Sequence, residues 1–310
     1  MPNMLAELGA AMLLSLNELT ALVRSAPRRY KVYTIPKRTP NKFRIIAQPA
    51  REVKALQYWA IRNILEYFPV HPSATGYRKG LNIADNVAPH VHSTFLLKLD
   101  FSDFFPSIKA RDFRLFAKTS GRAFDEDEIE ALVRILFWKP KGTNDLRLSI
   151  GAPSSPMLSN ILMMKFDEEI AAGCARLGVV YTRYADDLSF SARRSASLQE
   201  VEQMVTGLCN RLNSPALTLN PEKTVRVSKR ESRRVTGLVI SNESLVSLGR
   251  ERKRQLRAAV HHWFTGKLNS EERARLAGDL AYVNSVEPTF LVRLRERYGI
   301  DSIERIREGR

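Results

Sequence analysis

Val179-Val180-Tyr181-Thr182-Arg183-Tyr184-Ala185-Asp186-Asp187-Leu188-Ser189-Phe190-Ser191 is the stretch that decides the fold. Two adjacent carboxylates interrupt a run whose flanks are β-branched or aromatic in near-alternation. The pattern reads as strand, tight turn, strand, with the acids at the turn. A turn tip lets two carboxylates stand side by side in solvent and share divalent cations, whereas burying the pair without cations would be costly. Mg²⁺ suits such a site beside a phosphate-bearing substrate, because it keeps several waters and takes only one or two protein carboxylates. Asp is also a common turn residue, so a hairpin turn without chemistry is the competing reading.

A second acid cluster favours the chemical reading. The apolar run Phe95-Leu96-Leu97-Lys98-Leu99 ends in Asp100-Phe101-Ser102-Asp103-Phe104-Phe105-Pro106-Ser107-Ile108. A buried strand that ends in an acid, followed by a bend at Pro106, is a good way to present Asp100 to a site. Together with Asp186 and Asp187 it would complete the carboxylates of a two-metal centre, one metal activating a 3′-hydroxyl and the other holding a triphosphate. The ordinary alternatives are a helix N-cap for Asp100 and a first-turn acid favoured by the helix dipole for Asp103.

These segments resemble the motifs of reverse transcriptases, and among them the bacterial retron reverse transcriptases, over about residues 30–300. Phe43-Arg44-Ile45-Ile46-Ala47-Gln48-Pro49 is similar to the fingers motif whose Arg contacts the incoming triphosphate. Leu99 to Phe105 resembles the first palm motif, Gly151-Ala152-Pro153-Ser154-Ser155-Pro156 the second, Tyr184 to Asp187 the third and Leu219-Asn220-Pro221-Glu222-Lys223-Thr224 the fourth. Val235-Thr236-Gly237-Leu238-Val239-Ile240 resembles a primer-grip strand carrying the retron Val-Thr-Gly signature, and Asn86-Val87-Ala88-Pro89-His90 the retron Asn-Ala-x-x-His signature. All stand in the family's order. Val87 replaces the usual Ala. Ile150 stands where many relatives have Gln, which bears on nucleotide affinity, fidelity and processivity.

The resemblance implies an α+β right-hand polymerase. Its palm is a split βαβ-type sheet with helices on one face, and its thumb is helical. The divisions it suggests are an N-terminal helix and fingers at 1–94, a palm at 95–240 with a helical fingers contribution around 110–147, and a thumb at 241–310. The implied activity is RNA-directed DNA synthesis with dNTPs and Mg²⁺ on a cognate structured noncoding RNA that is both template and primer. Synthesis would start from a 2′-hydroxyl of an internal guanosine and leave a branched RNA–DNA hybrid. A role in phage defence with a separate effector protein follows from the same resemblance, as no effector domain is evident beside the polymerase.

Roles can be argued for single residues. Gly151-Ala152-Pro153 lets backbone approach a nucleotide closely, and also reads as a helix entry with Ser154 or Ser155 at the N-cap and Pro156 in the first turn. By the resemblance, Phe105 lies beneath the sugar of the incoming nucleotide, where a ring would clash with a 2′-hydroxyl; core packing with Phe101 and Phe104 is its alternative. Lys223 is a candidate to protonate or neutralise departing pyrophosphate, or else a solvated lysine. Arg44 fits a phosphate clamp, with Asp103 expected beside the same nucleotide.

Composition agrees. Forty-nine Lys+Arg against 33 Asp+Glu in 310 residues give a net charge of +16, which points to a polyanion partner. A basic membrane-surface protein is the rival, but the apolar run Ala10 to Leu16 is short and flanked by Glu7 and Glu18. Two cysteines, Cys174 and Cys209, make neither a disulfide framework nor a zinc site, so a reduced, cytoplasmic protein is expected.

Along the chain, Leu5, Leu8, Met12, Leu16, Leu19 and Val23 recur at helical spacing and predict one amphipathic helix. Arg28 to Lys42 reads as short strands beside nucleic acid, and Val53 to Phe68 as a helix with Leu56, Trp59, Ile64 and Phe68 inward. Arg78 and Lys79, in a glycine-bounded turn, are candidate template contacts. The helix Gly249 to Phe264 sets Leu256, Val260, Trp263 and Phe264 on one face and Arg250, Arg254 and Arg257 along a basic flank that would follow phosphates. Asn86, His90, Val235, Thr236 and Gly237 are expected to help recognise the RNA. The rivals are a non-retron bacterial reverse transcriptase, an RNA-dependent RNA polymerase opposed by Phe105, and a non-catalytic RNA-binding scaffold of the same fold.

Overall fold

The computed structural model describes residues 4–37 and 42–308. The chain opens with helices α1 (Met4–Met12) and α2 (Leu16–Ser25), and then forms the hairpin of β1 (Tyr30–Pro36) and β2 (Phe43–Pro49). Helices α3 (Arg51–Asn63) and α4 (Ile83–Val87) precede β3 (Phe95–Asp100). Helices α5 (Phe104–Ser107), α6 (Ala110–Thr119), α7 (Glu126–Leu136), α8 (Ser155–Leu162) and α9 (Met164–Leu177) lead to β4 (Val180–Tyr184) and β5 (Asp187–Ala192). After α10 (Ser195–Arg211) come β6 (Val225–Ser228), β7 (Arg233–Val235), β8 (Leu238–Ile240) and β9 (Val246–Ser247). Helices α11 (Arg250–Phe264), α12 (Ser270–Val286), α13 (Pro288–Tyr298) and α14 (Ile300–Arg307) close the chain.

The single N-terminal helix expected from periodicity is two helices. Leu13 adopts a left-handed φ of 56°, and Ser15 caps α2 in a reciprocal capping box with Glu18, so the second helix starts afresh after the break. Leu8, Leu19 and Val23 are buried, while Leu16 is exposed. The expected strand region Arg28 to Lys42 contains β1, and its residues 38–41 lie outside the described residues.

The central sheet has the order β4-β5-β3-β6, with every neighbouring pair antiparallel. Alternation along its strands separates two faces. Leu97, Leu99, Leu188, Phe190 and Tyr181 point into the main core, against helices α9 and α10. Asp100, Lys98 and Leu96 point the other way, opposite Asp187, Ser189 and Ser191 respectively. That second face is covered at its far end by α4 and the turn after it. A second core joins Val87 and Leu96 to Val235, Leu238, Ile240 and the buried faces of α11–α14. The boundary expected at residue 240 falls within the β7-β8-β9 sheet, whose side chains pack with the C-terminal helices and with Val87 and Leu96. Of the predicted apolar face of α11, Leu256 and Val260 are buried, whereas Phe264 is exposed and stacks on Tyr298 at 5.3 Å.

His90 is enclosed under the polar end of the sheet. Its Nδ1 lies 2.7 Å from Ser191 Oγ and its Nε2 2.8 Å from Thr182 Oγ1. Ser191 Oγ donates onward to Ser93 Oγ and Thr182 Oγ1 to the Asn86 carbonyl at 3.2 Å, so both ring nitrogens are satisfied within a buried hydroxyl network. Burial pushes its pKa down to about 4. A depressed histidine pKa means stability that is complete above the unfolded value near 6.5 and lost as pH falls toward 4. The full drop is on the order of 3 kcal/mol. Urea unfolding at pH 7.5, 6 and 5 should show this acid loss in the wild type and a flatter profile in His90→Gln; equal slopes would refute it.

Candidate active site

The acid pair sits where alternation and turn chemistry place it. β4 and β5 are joined through Ala185 and Asp186, with Ala185 in a left-handed conformation at φ 57°. Tyr184 pairs with Asp187 across the hairpin, and Asp187 pairs with Asp100 on the next strand. Asp100 ends β3, and the ladder continues one step beyond it through the Phe101 N–H, which donates to the Asp186 carbonyl at 3.2 Å. The Asn220 N–H donates to the Asp100 carbonyl at 2.7 Å, so the strand end is held from both sides. The alternative of Asp100 as a helix N-cap does not hold, because the residue belongs to the strand. Asp103 is the residue that precedes α5, with φ 45° and an exposed side chain.

Burial, more than mutual repulsion, raises the proton affinity of all three carboxyls. Burial pushes Asp100 up, Lys223 opposes the rise, and the Asp187 charge adds to it. Asp186 is raised by burial and then by Asp100, with Lys223 and Arg44 acting against. Asp187 is raised by burial, countered by Lys98 and reinforced by Asp186. Lys223 places its ammonium on the Asp100 carboxylate, 2.7 and 2.8 Å from the two oxygens. Burial disfavours its charge, but Asp100 outweighs that and holds the lysine pKa above its ordinary value. Lys223 is thus a resident cation of the site.

Among the described residues, no three metal-ligating side chains already converge as a cage. The donor set is a row of hard carboxylate oxygens at one end of the central strands, with the Lys223 ammonium on Asp100. That suits a divalent ion which keeps its waters and shares ligands with substrate phosphates, and Asp100, Asp186 and Asp187 are the residues that would hold it.

Beside the acids lies a cavity of about 360 Å³ lined by Tyr77, Phe105, Ile150, Gly151, Ala152 and Pro153 among others. Tyr77 stands between the two groups, its ring 5.9 Å from Tyr184 and 6.4 Å from Phe105. It does so from a left-handed backbone at φ 62°, a costly conformation for a bulky residue. Phe101 and Phe104 are buried, whereas Phe105 is half-buried at the cavity wall. Gly151 is required by packing within the protein as well. Its φ is 115°, and a Cβ would meet Ile46 Cγ2 at 3.1 Å and the Ala47 carbonyl oxygen at 3.2 Å. The loop is thereby docked on β2, where the Ala47 N–H donates to the Ile150 carbonyl at 2.9 Å. Ser154 precedes α8 without capping it through its side chain. The buried hydroxyls of Ser149 and Ser155 line the cavity and have no protein partner.

A family profile described as reverse transcriptase (RNA-dependent DNA polymerase) matches residues 35–240. The chain is 40% identical over 295 residues to the retron Ec83 reverse transcriptase of Escherichia coli, covering 93% of this chain and 94% of that protein. It is 36% identical over 305 residues to the retron Ec86 reverse transcriptase of Escherichia coli, covering 96% and 91%. The chain belongs to the retron reverse transcriptases. It is accordingly an RNA-directed DNA polymerase, of a family that uses divalent metal ions. A telomerase from Candida albicans, solved in complex with a fragment of telomeric RNA, matches the fold with a TM-score of 0.52 at 13% identity. The match covers 84% of this chain and 56% of that one, so this reverse transcriptase spans little more than half its length.

The retron signature residues of this reverse transcriptase lie mostly inside it. Asn86, His90 and Val235 are buried, and their side chains are unavailable for direct contact with RNA. Asn86 accepts from the Thr75 hydroxyl at 2.8 Å and reaches toward Thr236 Oγ1 at 3.5 Å. Thr236, half-buried, and Gly237, exposed, form the turn of the β7–β8 hairpin. Arg78 and Lys79 lie at the surface, as do Arg250, Arg254 and Arg257 on α11. Arg254 pairs with Glu251 at 2.8 Å, and the Arg257 guanidinium lies 5.2 Å from the centroid of the Phe290 ring. Two participants escaped the sequence reading. Tyr77 was visible only as part of a basic turn, and Arg183 was signalled only by a charge inside an otherwise apolar strand.

Removing one of the mutually repelling carboxylates should stabilise the metal-free protein. Asp187→Asn should raise metal-free stability at pH 7.5 by about 1 kcal/mol, and the gain should shrink as acid protonates the wild-type cluster. Differential scanning calorimetry in EDTA would check this; a variant less stable than wild type at pH 7.5 would contradict the repulsion.

Proposed function

We propose that this reverse transcriptase copies part of a cognate structured noncoding RNA into single-stranded DNA, starting from the 2′-hydroxyl of an internal guanosine. The product is a branched RNA–DNA hybrid that serves in phage defence together with a separate effector protein, in the cytoplasm. Near full-length similarity to retron reverse transcriptases carries the reading, and the continuous Asp100–Asp187 ladder beside the Phe105 cavity supports its chemistry. No single described helix is long and apolar enough to cross a membrane.

The reaction forms a bond from the primer hydroxyl oxygen to the α-phosphorus of a dNTP and breaks the α–β bridge, with pyrophosphate leaving. Mg²⁺ bound here supplies activation of the hydroxyl and neutralisation of the leaving charge. Asp100, Asp186 and Asp187 hold and align that centre. Arg44, close enough to influence Asp186, clamps the triphosphate, and Asp103 faces the same nucleotide from the start of α5. Phe105 underlies the sugar and excludes a 2′-hydroxyl, while Gly151, Ala152 and Pro153 shape the wall of the pocket. Lys223 trades its Asp100 partner for the pyrophosphate, whose charge it neutralises or protonates. Fingers and thumb enclose the duplex, with Arg78, Lys79, Arg250, Arg254 and Arg257 along its phosphates and the Thr236-Gly237 turn against the RNA.

The gene expressed with its upstream flank should yield protein carrying a discrete short DNA that migrates anomalously until debranched. Asp187→Asn should carry none and should lose at least about 10³-fold in polymerisation, or about 4 kcal/mol of transition-state stabilisation. Bound RNA without DNA in both samples would favour the non-catalytic scaffold, and unbranched DNA a non-retron enzyme. On a simple primer–template, Phe105→Ala should raise rNTP incorporation relative to dNTP by about tenfold or more. An unchanged ratio would remove Phe105 from sugar selection.

A further inference from the structure

Arg183 lies behind the catalytic turn, on the opposite face of the sheet from Asp187. Its strand partner is Leu188, and its side chain enters the layer between β4 and the helices. Nε and Nη2 bind Asp167 of α9 at 2.8 and 2.6 Å, both side chains being fully buried. Nη1 donates to Asn160 Oδ1 of α8 at 3.0 Å and to the Ala185 carbonyl at 3.1 Å. Asn160 in turn donates from Nδ2 to the Gly76 carbonyl at 2.8 Å. Gly76 packs so closely on the turn that a Cβ there would lie 3.0 Å from the Ala185 nitrogen. The Arg183 backbone is bound on both sides as well, donating to the Ser73 carbonyl at 2.7 Å and accepting from the Thr75 N–H at 2.9 Å.

A buried ion pair is a poor device for stability alone, since an apolar pair of similar volume commonly does as well. This one does something an apolar pair could not: a single guanidinium hydrogen-bonds the carbonyl of the left-handed residue immediately before Asp186. We propose that Arg183, oriented by Asp167 and Asn160, is a positioning residue for catalysis that fixes the turn carrying Asp186 and Asp187. It touches neither substrate nor metal and acts through the Ala185 carbonyl. The inference rests on Asp186 and Asp187 being the catalytic pair.

The test compares Arg183→Lys with Tyr181→Phe. A lysine keeps a cation beside Asp167 but, as a single ammonium, cannot also span Asn160 and the Ala185 carbonyl. Tyr181→Phe removes only the hydroxyl that donates to Asp167 Oδ1 at 2.6 Å, so it destabilises the same cluster without touching the turn. Both variants should melt below wild type and bind a primer–template with unchanged Kd. Arg183→Lys alone should lose at least about tenfold in single-turnover rate at saturating dNTP. It should also need several-fold more Mg²⁺, and show a smaller Mg²⁺-induced rise in the melting temperature of the complex. A single-turnover rate within twofold of wild type, or an equal loss in Tyr181→Phe, would overturn the positioning role. If Arg183→Lys does not fold, Arg183→Met combined with Asp167→Leu removes the pair instead of breaking it and carries the same comparison. An Asp187→Asn control that remained active would overturn the underlying catalytic reading instead.

Discussion

Asp100 stands directly across from Asp187 in an antiparallel ladder, and like charges in that position repel. Much of the neighbouring structure can be read as the means of holding them there. The ladder runs through both residues and one step past them, so neither strand end is free to splay. Positive groups arrive from three separate elements: Lys223 from the turn before β6, Arg44 from β2 and Lys98 from within β3. Burial outweighs them, and all three carboxyls remain harder to ionise than ordinary aspartates. Carboxylates drawn out of water and held side by side favour an incoming divalent ion, and backbone register sets that arrangement.

The two faces of the same strands divide the remaining tasks. On the face shared with Asp187, the positions two and four residues on are Ser189 and Ser191, and the buried polar groups continue through Thr182 to His90. On the reverse face Leu188 and Phe190 join the main core, with Arg183 as the charged exception. Asn86 ties the first arrangement to the thumb base, since it binds Thr75 beside β4 and reaches Thr236 beyond the palm sheet. Asn86 and His90 thus act as internal joints between parts of the molecule.

The acid-bearing β4–β5 hairpin was legible because its determinants are local: β-branched flanks, a short turn and acids at its tip. The ends of α11 were legible for the same reason. What was missed depends on contacts distant in sequence. Gly151 reads as a residue for nucleotide approach, yet its missing Cβ faces Ile46 and Ala47, about a hundred positions earlier. Tyr77 gains its meaning only from Tyr184 and Phe105, and the thumb boundary only from a core that recruits Val87 and Leu96. The break between α1 and α2 is a different case. The Ser15-x-x-Glu18 capping box was present in the sequence, and hydrophobic spacing on both sides of it masked the signal.

The β7–β8 hairpin shows how such a long-range demand can override local preference. Thr236 and Gly237 both have positive φ, 45° and 86°, which is the type I′ geometry that a two-residue hairpin favours. Asn-Gly or Gly-Gly would adopt it with less strain, whereas a β-branched residue in the left-handed region is an outlier. Strain of this kind persists where surrounding structure fixes it and a side chain is needed there. The Thr236 hydroxyl is the group toward which Asn86 Nδ2 points, and Gly237 beside it stays exposed. A turn chosen for hairpin stability alone would have discarded that hydroxyl. Its retention follows if the turn must be held in register with α4 and the central sheet.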